Sequence, residues 1–225
     1  MISTKDLSLF PNINNLKALT QSLAMLDAII SPDWEFRYYS FNSHWNTEVS
    51  IATMLNGSGD HIFLVFTQIG AIVKGFAHES PMSPYINDLG QVWPNVLDQV
   101  PEPLAVYLKE PAFLINETTF CIWRSFQDAT WKRGVLKFPE SDNPDGSKEL
   151  LSILDGNPLT YQTWAESYYE QKISVNAVDQ VYKHCHLTQS LVSELNPDIS
   201  LQMLAQDIEE IGYPNSLAKI DSRLM

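Results

Sequence analysis

Basic residues are scarce in this chain. It carries 14 Lys and Arg against 27 Asp and Glu, a formal net charge of −13 over 225 residues. A nucleic-acid duplex or an anionic membrane would be repelled by the average field. The only compact basic cluster, "WKRG" at 131–134, is too small to reverse that locally. Cysteine is scarce as well. Cys121 and Cys185 lie far apart and neither belongs to a CxxC pair, which excludes a dense disulfide scaffold. No stretch approaches the roughly 18 apolar residues of a membrane span. The start, "MISTKDLSLFPNINN", lacks the charged head and apolar run of a secretory signal. These absences predict a soluble cytoplasmic protein that binds neither nucleic acid nor membrane.

Core-forming residues are plentiful: hydrophobic residues make up 44% and aromatics 11%, with six Trp. Such a chain can offset its ordering entropy by burial, which excludes a disordered class. Leu16, Leu19, Leu23, Leu26 and Ile30 recur at helical spacing behind a cap at Asn12, Asn14 or Asn15, and Ser31-Pro32 stops the helix. Strand alternation follows. "WEFRYYSF" would put Trp34, Phe36 and Tyr38 on one face; "EVSIATML", "HIFLVFT" and "AIVKGFA" are joined by the turns "NGSGD" and "QIG". The wholly apolar "HIFLVFT" reads as a central strand covered on both faces. Six prolines between Pro81 and Pro111 rule out long regular elements there, with "PNVLDQV" and "PEPLAVYLKE" as short helices. "ETTFCIWRSF" at 117–126 returns to strand.

After the polar loop at 139–149 the texture is helical. A short helix ends at Gly156; another carries Tyr161, Trp164 and Tyr168 inward. A long stripe runs from Val175 to Leu195 through Cys185, and a last helix closes at Gly212. The fold class is therefore α+β: an antiparallel meander with an N-terminal helix packed on it and a C-terminal helical region. Residues 1–139 would form the sheet domain and 140–225 the helical region, packed together as one globular unit.

Candidate chemistry centres on the meander. His44, His61 and His78, with Asp60 and Glu79 nearby, could converge across adjacent strands into a hydrolytic or metal-dependent site. "HESP" at 78–81 makes a poor serine-nucleophile site, because Ser80 precedes a proline that has no amide to offer an oxyanion; its polar residues should simply meet water. His184 and His186 in "KHCHL" would lie about 200° apart on a helix and could not grip one ion. "NGSGDH" has no Lys-Ser or Lys-Thr behind it, so it reads as a turn rather than a phosphate cradle. Neither a metal site nor a cofactor is expected. Acidity is concentrated in residues 140–225, with 14 acidic and five basic residues, and is densest in "QDIEEIG", where Asp207, Glu209 and Glu210 form a candidate docking face. The favoured expectation is a non-catalytic module that binds a basic partner protein, comparable to bacterial immunity proteins that neutralise a basic toxin, or to an accessory protein.

Overall fold

A computed structural model describes residues 1–216 of the chain. The fold is α+β, with an N-terminal helix, a six-stranded antiparallel sheet and C-terminal helices. Helix α1 spans Ile13–Ile30. The Asn12 side chain caps it by accepting the Asn15 amide, and Ser31 closes it. The strands are β1 (Tyr39–Asn46), β2 (Val49–Leu55), β3 (His61–Phe66), β4 (Gly70–Phe76), β5 (Phe120–Ser125) and β6 (Lys132–Arg133), and they lie in the sheet in that order. Every pairing is antiparallel, so each strand lies beside its sequence neighbour.

The sheet is covered on both sides, which is why β3 alternates no polar residues. One face sends Phe41, Ala52, Met54, Leu64, Phe66, Val73 and Ile122 into the main core against α1 and the C-terminal helices. The other sends Val49, Ile51, Phe63, Val65, Ile72, Cys121 and Trp123 under the proline-rich segment, which contributes Met82, Val96, Leu104, Leu108 and Phe113. That segment holds only helix α2 (Glu102–Ala105) and 3-10 turns at Val106–Lys109 and Pro111–Phe113, as its prolines require. Residues 94–100 form turns rather than a short helix. Gly75 lets the Phe120 ring lie across β4; a Cβ there would stand 2.0 Å from that ring.

The C-terminal region comprises α3 (Ser147–Leu150), α4 (Pro158–Tyr168), α5 (Val175–Tyr182), α6 (Gln189–Leu195) and α7 (Ala205–Ile211). The loop before α3 is tied back to the sheet. Thr119 Oγ1 donates to the Asp145 carbonyl at 2.7 Å, and Thr4 and Ser147 both donate to the Asp145 carboxylate.

Three expectations fail. Residues 34–36 form a 3-10 turn, not a strand, so Trp34 and Phe36 stand in solvent instead of the core. The stripe from Val175 to Leu195 is two helices. His184 adopts a left-handed φ of 52°, and Thr188 caps a fresh helix by accepting the Leu191 amide. Cys185 falls in that break and is exposed rather than buried. His184 and His186 therefore sit on a connection, bonded to the carbonyls of Ala18 and Asn215. No helix among the described residues is long and apolar enough to cross a membrane.

Candidate functional site

The β3 start and the β4 end lie side by side, because His61 pairs with Phe76. This brings Asp60, His61, His78 and Glu79 to one end of the sheet. His44 is not among them. It sits on β1 five residues beyond Tyr39, which lies at the His61 end, so about 17 Å of strand separates it from the others.

Asp60 and His78 form a built pair. One Asp60 carboxylate oxygen accepts both the backbone N–H and the Nδ1–H of His78, each at 2.8 Å. The other accepts Asn56 Nδ2 at 2.9 Å. The carboxylate thus fixes the proton on Nδ1 and leaves Nε2 free, 3.8 Å from the exposed Glu79 carboxylate. The two backbone positions that follow Glu79 offer no donor to a developing oxyanion. The Ser80 amide is bonded to the Ala77 carbonyl at 3.1 Å, and Pro81 has none. Ser80 itself does not meet water as expected. It is buried, and its hydroxyl has no hydrogen-bond partner among the described residues.

His61 faces the covered side of the sheet. Its Nε2 lies 2.9 Å from Lys74 Nζ, and the two side chains are sealed among Phe63, Phe76 and Cys121. Lys74 is only 1% exposed, with its ammonium 5.4 Å from the centre of the Phe63 ring and no carboxylate bonded to it among the described residues. Burial pushes its amine down to about 7, with the Glu117 charge opposing. Burial, and then the Lys74 charge, push His61 down to about 4. Cys121 is pushed up to about 12 by burial, so its thiol stays inert. Above these residues Tyr85 donates to Glu117 at 2.7 Å and stacks edge-on against Phe76.

The acidic face lies elsewhere. Asp207 is gripped by Arg37, whose Nη1 and Nη2 reach its two oxygens at 2.5 and 3.2 Å. Glu210 accepts from Asn42 Nδ2 at 3.3 Å, and its carbonyl accepts the Ser43 hydroxyl at 2.7 Å. His44 Nδ1 lies 2.8 Å from that same hydroxyl, so the α7 acidic residues share a neighbourhood with His44 rather than with His78. Glu209 is exposed and makes no ion pair among the described residues.

Among the described residues no group of three or more His, Cys, Asp or Glu could hold a metal ion. No family model matches the chain, and no curated protein or solved structure is significantly similar to it. Three groups escaped the sequence reading. Lys74 was visible as the lone charge inside "AIVKGFA". Asp27 was visible as the lone charge in an otherwise apolar or small-residue helix turn. Arg37 carried no signal, because its role depends on a helix 170 residues away.

Proposed function

We propose that this protein is a non-catalytic contact module that binds a basic partner protein, in an immunity-type or accessory role in a bacterial cytoplasm. One observation carries the reading. The described residues make only four ion pairs between Lys or Arg and a carboxylate, Arg37–Asp207, Lys132–Asp128, Lys172–Glu166 and Lys183–Asp179, against 26 acidic residues among them, the chain's 27 less Asp221. The surplus negative potential is left facing solvent, where it steers and selects a cationic partner. The test uses an oligo-arginine peptide as probe, titrated between about 50 and 300 mM salt. Affinity should fall at least about tenfold across that range. Absence of binding, or binding that ignores salt, would remove the electrostatic basis of the proposal.

The Asp60–His78 pair favours a second reading, a hydrolase in which Nε2 of His78 acts as general base toward water. Under the contact reading, p-nitrophenyl acetate is not turned over faster by the wild type than by His78→Ala. A wild-type rate that exceeds the variant's by about a hundredfold would decide for the hydrolase.

A further inference from the structure

The geometry points to the turn at 33–37 as the contact point for an arginine-bearing segment of a basic partner protein. This rests on the contact reading above and gives it a location. Trp34 and Phe36 are 71% and 59% exposed. Both rings stand on a short 3-10 turn in which the Phe36 amide bonds the Asp33 carbonyl and the Arg37 amide bonds the Trp34 carbonyl. Aromatic side chains displayed this openly are the residue type that dominates binding energy at protein interfaces.

The turn is held in shape before any partner arrives. Arg37 Nε donates to the Ser31 carbonyl at 2.9 Å, and Nη2 donates to the Pro32 carbonyl at 2.8 Å. The same guanidinium grips Asp207 on α7 with both of its amino groups, and its side chain is only 10% exposed. A preorganised display loses little entropy on docking.

Charge selects the occupant. Asp33 and Glu35 flank Trp34, are exposed, and make no ion pair among the described residues. Arg37, the nearest cation in sequence, is turned inward. The helix it grips adds the exposed Glu209 and Glu210. An incoming guanidinium would stack on the indole face while a neighbouring carboxylate accepts its N–H groups. Lysine can supply the charge but neither the planar stacking nor the bidentate fork. A second copy of this chain, carrying the same −13, is repelled from the same surface.

Oligo-arginine and oligo-lysine peptides of equal length, titrated against the full chain, provide the test. The arginine peptide should bind several-fold more tightly. Trp34→Ala should weaken it about fivefold to tenfold, and should narrow the gap between the two peptides. Glu35→Gln should weaken both peptides more than Asp88→Asn does, an equal charge change at an exposed position on the proline-rich segment. Trp34 and Glu35 are exposed, so both variants should keep the wild-type unfolding midpoint. If Trp34→Ala and Glu35→Gln behave no differently from Asp88→Asn, the location is wrong while charge-driven binding stands. If neither peptide binds the wild type, the contact reading falls with it.

Discussion

Replacing Lys74 by Met, together with His61 by Phe, should stabilise the protein at pH 7 by about 2–4 kcal/mol and leave it no more stable than wild type at pH 10. An amine that is 1% exposed, with an imidazole rather than a carboxylate as its partner, cannot keep its charge cheaply. Its folded value is about 7 against an ordinary 10.5. A depressed value means the folded chain binds the proton less well than the unfolded one. The stability Lys74 contributes is therefore complete above about pH 10.5 and is lost as pH falls through about 7, a swing on the order of 3–5 kcal/mol. His61 adds a smaller loss of the same sign as pH falls from 6.5 through about 4. The single change Lys74→Met is a weaker test, because it leaves His61 Nε2 buried without a donor, at about 1–3 kcal/mol. Urea denaturation of the wild type and the double variant from pH 6 to 10 yields the difference curve. A curve flat across that range would mean that Lys74 titrates like a surface lysine.

The second large effect is expected at Asp27, in the main core. Its carboxylate is fully buried. One oxygen accepts the Tyr38 and Tyr39 amides at 2.9 and 2.8 Å, and the other accepts the Tyr161 hydroxyl at 2.7 Å. These bonds join α1 to the start of β1 and to α4, and they explain why the sheet begins at Tyr39. Burial raises Asp27 to about 6, and the Tyr161 and Tyr169 hydroxyls with the Tyr39 and Tyr38 amides hold it down from a higher value. Here the sign is reversed. A raised carboxyl contributes stability that is complete below about 3.8 and lost as pH rises through about 6, so ionisation costs about 3 kcal/mol at neutral pH. Asp27→Ala strands three buried donors and should cost about 3–5 kcal/mol at pH 5. Asp27→Asn keeps an acceptor for the two amides, and its own N–H can meet the Tyr161 oxygen. That variant should match or exceed wild type at pH 7 while losing the titration between pH 4 and 6. Equal destabilisation by Ala and Asn would show that the carboxylate's charge, rather than its acceptor geometry, holds the junction.

Much of the architecture was legible because local chemistry and burial agree. The α1 stripe, its Asn12 cap, strands β2 to β5 and the Gly212 closure all follow from periodicity and turn residues. What failed was decided by distant partners. "WEFRYY" alternates like a strand, yet Arg37 folds it into a turn by binding Asp207, and no local pattern encodes that contact. The helix expected through Lys183–Thr188 gives way where the Leu187 amide bonds the Pro214 carbonyl. The same limit applies to the site. His61 and His78 lie at neighbouring strand ends, but the pleat sends His61 under the covering segment while the β4 end leaves His78 half in water. Strand direction then put His44 at the opposite edge, beside α7.

The most direct measurement is amide chemical-shift mapping of the isotope-labelled chain as oligo-arginine is added. The contact reading at the 33–37 turn predicts saturable shifts confined to residues 33–37 and the exposed side of α7, fading as salt rises. Shifts that instead gather at residues 56–61 and 77–85, or no shifts at all, would contradict it.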